Sequence, residues 1–544
     1  MTTVFFQLTS SRLCKVINYL IKIQNFFFFI KGLAPLGSSY LISPLLSLVE
    51  NPQNLRRLFA LQIGELTEAQ TLELCKKFGI YCCVLLDRGV PNQVIIDDFI
   101  PCTTSSEGSA PAFTHSPYNE LFVVLLEKAY AKLYGSYFNI DSGLIIEAIS
   151  SLVEAPVRRL FFDKKYTWDV IVQGTNQKWP MLANIKGEES LDKSSGLEFS
   201  ASVILLRSTE FLYQGKPIRM LTFKSTIYKM DYKGPWSKND SRWNEVAVSK
   251  KDYIDENQGI FSIQFEDSLK YFQTCYFLKL MKDYKYTYYV DKHENIHHGE
   301  FYYIKIKKKG TYYISVYQDT GRRATKLKSS SVKLPEITMV LSKMNNKGDY
   351  SYIGGRQKDS AQVCAFITND KINTERELDE GEYILYVRVR ETPGTSWNKY
   401  ITIGVYSPKK TNVYRVVRKE YGGFLEKTYL SYLRENSQNY PPSTLDLSDP
   451  NFKFLTAKYI PRSREGFGLL YVKNNEAKTV SCSFKFKNLA ASKARLKRPF
   501  GGKNMAEFDL NPGQDRIVLV KVGEKQGLSG DTDVLVSRKI IWKI

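Results

Sequence analysis

At 544 residues, 43% hydrophobic and 13% aromatic, the chain is long enough for roughly three or four domains and too apolar for wholesale disorder. Its net charge of +21 is spread through Lys305 to Lys309, Arg322-Arg323, Lys326 to Lys328, Lys409-Lys410 and Lys493 to Lys503. Such a balance means either solvated lysines on several domains or an acidic partner, and with no nucleic-acid module in the sequence, nucleic acid ranks behind a protein surface or an anionic membrane. The eight cysteines form no CxxC pair, and the four histidines stand apart from them, which argues against a disulfide framework and a structural zinc site. Cys82-Cys83 lie in an apolar, strand-like run and read as buried free thiols, so a reducing, cytoplasmic setting is expected.

In chain order, residues 1–30 form an atypical segment. Val16 to Ile30 is apolar and ends Phe26-Phe27-Phe28-Phe29-Ile30, but Asn18, Lys22, Gln24 and Asn25 interrupt it. It is too short and too broken to span a membrane, and no small-residue cleavage site follows. A targeting segment, a mis-assigned start of the coding region and a buried structural segment all fit. Residues 33 to 60 then read as a helix through Leu41, Leu45, Leu48 and Val49, with Pro44 in its early turns. Gly79 to Leu86 and Gln93 to Ile100 alternate as two strands joined at Asp87-Arg88-Gly89. Asn119 to Tyr134 is an amphipathic helix, and Val203 to Arg207 and Arg219 to Lys224 are strands. Helix first and hairpins after predict an α+β domain to about Phe272.

From Tyr276 the pattern changes to short aromatic and β-branched runs: Phe301 to Lys307, Thr311 to Tyr317, Val332 to Ser342, Glu382 to Arg390 and Tyr400 to Tyr406. These predict an antiparallel β-sandwich. Past Ser407-Pro408 a second β-rich module is expected, with strands at Gly468 to Lys473, Val480 to Phe486 and Arg516 to Val522. It contains no Asp-rich twelve-residue calcium loop ending in Glu.

Several motifs occur together and in a fixed order. Leu36-Gly37-Ser38-Ser39-Tyr40-Leu41 is followed by Glu50-Asn51-Pro52 and Leu55-Arg56-Arg57-Leu58-Phe59. Then come Ile95-Ile96-Asp97-Asp98-Phe99-Ile100-Pro101 and Asn119-Glu120-Leu121-Phe122, with Leu126-Glu127-Lys128-Ala129-Tyr130-Ala131-Lys132 and Gly135-Ser136-Tyr137. Gly234-Pro235-Trp236-Ser237 with Trp243, and Phe261 to Phe272, complete the set. The series resembles the core of calpain-family cysteine proteases, and Glu380 to Tyr383 with Thr402 to Tyr406 resemble that family's β-sandwich. Each motif alone is weak; together they cover about residues 31 to 410.

The resemblance implies a papain-like α+β core over residues 31–272, a C2-like β-sandwich over 273–410 and a second β-rich domain over 411–544. It also implies where the chemistry would stand. The family's nucleophilic cysteine falls on Ser39, its histidine on Phe199, its asparagine on Ser225 and its oxyanion glutamine on Leu33. No histidine lies between His115 and His293 and no cysteine between Cys14 and Cys75, so no shift of register in those stretches restores a triad. The family's core calcium loop falls on Gln258-Gly259-Ile260-Phe261-Ser262. Nearby Asp231 persists, but a later acidic position is Lys238. Too few oxygen ligands remain for a hard cation, so no cofactor or metal is expected.

The reading is a calpain-like protein without peptidase activity, acting as a binding, structural or regulatory scaffold. Its partners would be an acidic protein surface, for which cytoskeletal filaments suit, or an anionic membrane met through the C2-like domain; the location would be cytoplasmic, with cytoskeletal association fitting. The alternative is a calcium-dependent cysteine endopeptidase whose N-terminal catalytic segment the assigned start has lost, and a regulatory subunit paired with an active homologue is compatible with the same residues. Lesser candidates are Asp97-Asp98 as an acid–base pair, against a structural role, and His297-His298 with Glu294 and Glu300 as metal ligands, against an exposed loop. Ser39 as a serine nucleophile lacks a base.

Overall fold

The computed structural model describes residues 3–7, 37–60, 64–105, 108–115, 121–163, 167–187, 193–226, 230–246, 248–249, 252–255, 258–293, 299–323, 334–345, 348–358, 362–366, 377–390, 399–436, 455–460, 467–485, 495–496, 505–521 and 537–538. Val16 to Ile30, Leu33, Glu294, His297 and His298 lie outside them. Two compact units result, one of Met1–Tyr284 with Tyr317–Val332 and Lys371–Asn373, the other of Lys285–Val316, Lys333–Asp370 and Thr374–Ile544.

The first unit contains β1 (Thr3–Gln7), α1 (Ser39–Val49), α2 (Pro52–Arg56), α3 (Glu68–Phe78), β2 (Ile80–Asp87), β3 (Val90–Asp97), β4 (Phe99–Ser105), β5 (Gly108–Pro111), α4 (Phe122–Tyr134) and α5 (Ile145–Leu152). After these come β6 (Val157–Phe161), α6 (Thr167–Asn176), β7 (Met181–Ile185), β8 (Ser202–Tyr213), β9 (Lys216–Ser225), β10 (Ile260–Gln264), α7 (Phe265–Tyr271) and β11 (Phe272–Leu278).

The single helix expected over 33–60 is two helices. Asn51 interrupts it: its backbone is extended, its side chain accepts from the Gln53 N–H at 3.1 Å, and Pro52 takes the first helical position, where a missing N–H costs nothing. Pro44 stays inside α1, and every residue of α1 after Ser39 is buried. The strand expected over Gln93 to Ile100 is also split, because the Asp98 N–H turns back to the Gly79 carbonyl at 2.9 Å. Gly79 ends α3 with φ +63°, and a Cβ there would lie 2.7 Å from the Asp98 carboxyl, so this junction needs glycine. The β2–β3 turn is Arg88-Gly89, both left-handed (φ 52° and 73°), the geometry that matches strand twist in a two-residue hairpin.

Six antiparallel strands form the main sheet of this unit, in the order β10-β9-β8-β7-β11-β6. Ile171, Leu205, Phe223, Phe265 and Phe277 are buried in its core. Strands β8 and β9 extend well beyond the short runs expected, to a second two-residue turn at Gln214-Gly215 (φ 50° and 73°). The sheet also continues past Phe272, since β11 pairs with both β7 and β6.

Arg322, from the Tyr317–Val332 stretch that belongs to this unit, has a fully buried side chain. Its Nε and Nη2 donate to Glu147 of α5 at 2.7 and 2.8 Å, Nη1 donates to the Asn139 carbonyl at 2.8 Å, and Nη2 also reaches the Ser142 carbonyl at 3.0 Å. The guanidinium lies over the rings of Tyr40 (5.0 Å) and Tyr134 (5.9 Å). A Cβ on Gly143 would come within 2.1 Å of Nη2, so the glycine makes room for the ion. Burial works against the charge, and the Glu147 carboxylate outweighs it, leaving the guanidinium pKa raised.

The second unit holds β12 (Lys285–Lys292), β13 (Glu300–Ile306), β14 (Tyr313–Tyr317), β15 (Glu336–Met344), β16 (Tyr350–Lys358), β17 (Gln362–Phe366), β18 (Gly381–Arg390), β19 (Tyr400–Ser407), β20 (Asn412–Val416) and α8 (Phe424–Asn436). It ends with β21 (Leu455–Ile460), β22 (Phe467–Asn474), β23 (Val480–Lys485), β24 (Arg495–Leu496), β25 (Met505–Leu510), β26 (Asp515–Lys521) and β27 (Ser537–Arg538). The sheets β12-β19-β14-β17 and β16-β15-β18-β13-β20 face each other across Tyr302, Ile314, Leu341, Leu385 and Ile403, the antiparallel sandwich expected from the alternation. A second pair, β21-β22-β26-β24 and β25-β23-β27, closes on Leu470, Val472, Phe484, Phe508 and Val518. Helix α8 was not expected. Phe424, Tyr429 and Leu433 pack with Phe301 and Tyr386 of the first sandwich and with Phe467 and Leu519 of the second, so the helix after residue 411 shares a core with both. Among the described residues no helix is long and apolar enough to cross a membrane.

Candidate functional site

The N-terminus of α1 is the starting point. Ser39 is its first residue and is exposed, while Ser38 at the cap is buried. The Ser38 hydroxyl does not cap the helix; it donates to Glu127 Oε1 of α4 at 2.7 Å. Thr114 donates to the same carboxyl through its hydroxyl (2.8 Å) and its backbone N–H (3.1 Å). Burial raises the Glu127 pKa, and those hydrogen bonds oppose the rise. A carboxyl group is therefore fixed beside the helix end whose dipole would otherwise favour an anion at position 39.

Phe199 is half-buried in the turn before β8, next to Ser200, which has φ +57° and donates its N–H to the Lys186 carbonyl at 3.1 Å. Ser225 is the last residue of β9 and is buried; it stands opposite Val203 of β8, and its N–H donates to the Gly259 carbonyl at 3.0 Å. Its neighbour Thr226 donates to the Ser202 carbonyl at 2.7 Å and shares a 3.5 Å hydroxyl contact with Ser43, one turn along α1 from Ser39. Below these, Lys224 reaches Glu50, at the other end of α1, at 2.6 Å. The Ser43–Thr226 and Glu50–Lys224 contacts thus set α1 against the end of β9, where Ser225 lies. The side chains of Ser39, Phe199 and Ser225 are a hydroxyl, a phenyl ring and a second hydroxyl. His115 follows Thr114, and its Nδ1 lies 3.0 Å from the Phe113 carbonyl.

Around the calcium-loop positions, the Lys238 ammonium lies 3.5 Å from the Asp231 carboxylate. A Cβ on Gly196 (φ +74°) would lie 1.8 Å from the Asp231 carbonyl, so glycine lets these segments meet. Among the described residues no group of three or more His, Cys, Asp or Glu side chains could hold a metal. Asp97 is exposed and ion-paired with Lys128, while Asp98 is buried against Gly79, so the two carboxylates have separate structural surroundings.

The segment after β9 is organised by aromatic packing. Trp236, fully buried at φ +66°, meets Phe211, Tyr213 and Trp243, and the Arg242 guanidinium lies 4.9 Å from its ring centroid. Asp240 accepts from Arg242 Nε (2.9 Å) and Nη2 and from the Trp236 N–H (2.7 Å). The Arg242 bonds, with backbone help and against burial, hold the Asp240 carboxyl down to about 2. Because the folded pKa lies below the unfolded one, this stabilisation is present above about pH 4 and is lost as pH falls through about 2. Asp240→Asn is expected to remove roughly 2 kcal/mol at pH 7 and almost nothing at pH 2, read as denaturant midpoints at the two pH values.

Sequence reasoning did not single out Glu127, Arg322 or the Lys224–Glu50 pair. For Glu127 a signal existed, a carboxylate on the apolar face of an amphipathic helix; for the others only tertiary contact reveals the pairing.

Comparison with known proteins bears on the same residues. Residues 14–279 match the calpain family cysteine protease domain. The calpain-type cysteine protease ADL1 of Oryza sativa subsp. japonica is 27% identical over 209 residues, 36% of this chain and 9% of that protein. DEK1 of Arabidopsis thaliana is 28% identical over 209 residues (36% and 10%), and calpain-14 of Homo sapiens is 28% identical over 193 residues (34% and 28%). The matches thus span about a tenth of the plant relatives and under a third of the human one. A clostridial cysteine protease after propeptide cleavage aligns with 71% of this chain and 84% of its own at 11% identity and a TM-score of 0.18, too low to bear on the fold. Over residues 14–279, just under half of its length, the chain is similar to the calpain family of cysteine proteases.

Proposed function

We propose that the chain is a calpain-fold protein without peptidase activity, working as a binding, structural or regulatory scaffold. What supports the reading is the residues themselves: the resemblance assigns the family's thiol, imidazole and amide to Ser39, Phe199 and Ser225. A serine hydroxyl attacks only with a general base beside it, and Phe199 supplies none. Acid–base help is worth roughly 10²–10⁴-fold and an oxyanion donor roughly 10²–10³-fold; the family's donor position is Leu33, an alkyl chain. The Asp231–Lys238 pair supports the absence of a calcium-dependent step, since an ammonium occupies the neighbourhood of the one carboxylate left.

The partners fitting a +21 chain are acidic protein surfaces, with cytoskeletal filaments suiting, and anionic lipid; the first sandwich would serve as the C2-like module. The full chain incubated with casein and calcium should release no peptides above a boiled control and should take up no thiol-directed active-site probe. Calcium-dependent cleavage abolished by Ser39→Ala would overturn the reading.

A further inference from the structure

Among the described residues of the first unit, several large apolar side chains on adjoining elements are exposed. Leu74 and Phe78 lie one turn apart on α3, and Phe78 leads through Gly79 straight into β2. In the β2–β3 ribbon, Tyr81, Cys83, Val94 and Ile96 are buried, so the alternate positions face outward. On that outer face Ile80 stands opposite Asp97 and Cys82 opposite Ile95, and Phe99 carries the alternation into β4. Phe78 is 61% exposed, Ile95 55%, Ile80 49% and Phe99 44%. Scattered exposed apolar side chains need no explanation, but a set on adjoining elements marks a contact surface.

Its rim is basic. The Lys77 ammonium lies 5.4 Å from the Phe78 ring centroid. From α4, Lys132 reaches the Ile95 carbonyl at 2.6 Å, and Lys128 reaches the Phe99 carbonyl at 2.6 Å and the Asp97 carboxylate. The exposed carboxylates nearby, Asp97 and Glu73, are each paired with a lysine. The Asp97 carboxylate on the same face is neutralised by Lys128, so the apolar side chains with Lys77 and Lys132 at their edge suit a surface that is apolar inside and anionic outside, and a bilayer interface offers both at once.

We propose that this ribbon face docks on an anionic lipid bilayer, with Phe78, Ile80, Ile95 and Phe99 entering the interface and Lys77 and Lys132 meeting the headgroups. It rests on the scaffold reading only for the sign of the partner's charge, not for the loss of peptidase chemistry, so the casein assay and the experiment here fail independently. The full chain is sedimented with vesicles of phosphatidylcholine alone and of phosphatidylcholine with phosphatidylserine. Binding is expected to the second and to fall at least about 10-fold in the double variant Phe78→Ser/Ile95→Ser. Leu212→Ser, at a side chain 69% exposed on β8, should leave it unchanged, and equal melting midpoints would establish that the variants fold. The proposal is overturned if anionic vesicles bring down no protein, if the double variant binds as the parent does, or if Leu212→Ser weakens binding equally.

Discussion

Replacing Arg322 with methionine should destabilise the first unit by about 3–5 kcal/mol, because it leaves Glu147 buried without its counter-charge. At that size of domain the melting midpoint is expected to fall by on the order of 10 °C. The pair Arg322→Met and Glu147→Leu should recover most of the loss, since an apolar pair of similar volume is often no worse than a buried ion pair. It should not recover all of it, because the Asn139 and Ser142 carbonyls also lose donors. A double-mutant cycle in denaturant measures the coupling; a coupling energy near zero would mean that Arg322 acts only by filling space between Tyr40 and Tyr134.

Restoring the family residues should not restore the enzyme. In the triple substitution Ser39→Cys, Phe199→His, Ser225→Asn, calcium-dependent casein hydrolysis is expected to stay at background. Three physical reasons combine. The Ser225 side chain is fully buried, so a larger amide must displace packed neighbours. The resemblance puts the oxyanion position on Leu33, and a lost donor alone is worth roughly 10²–10³-fold. The Glu127 carboxyl, held by Ser38 and Thr114 beside the start of α1, works against a thiolate there by like-charge repulsion. In Ser39→Cys alone, alkylation by iodoacetamide should follow a thiol titrating at or above about 8.5. A thiolate already formed at pH 6 would show that the helix dipole outweighs Glu127.

The same residues separate what a linear reading can deliver from what it cannot. Gly79, Gly89 and Pro52 are local: each acts on its own φ or its own missing N–H, and the elements they bound lie where those rules put them or a few residues away. The alternation of Phe301 to Tyr406 likewise announced a sandwich, because burial of one face with period two is written in composition. Helix α8 escaped notice because its buried side, Phe424, Tyr429 and Leu433, is completed by residues drawn from two sandwiches. Strand β8 looked short because its outer half carries Ser208, Thr209 and Glu210, whose alternation is partly polar, and β9 because it opens on Lys216-Pro217.

The sequence by itself determined the side chains at 39, 199 and 225, to which the resemblance assigns the family's nucleophile, base and amide, because chemistry at a position is a property of the residue there. It determined the basic charge for the same reason. Only the tertiary structure decided that a carboxyl sits beside the start of α1, that Arg322 is buried against Tyr40 and Glu147, and that Phe78, Ile95 and Phe99 are left exposed. Each of those depends on groups tens to hundreds of residues apart coming within a few ångströms, and burial, ion pairing and exposure arise only when they do.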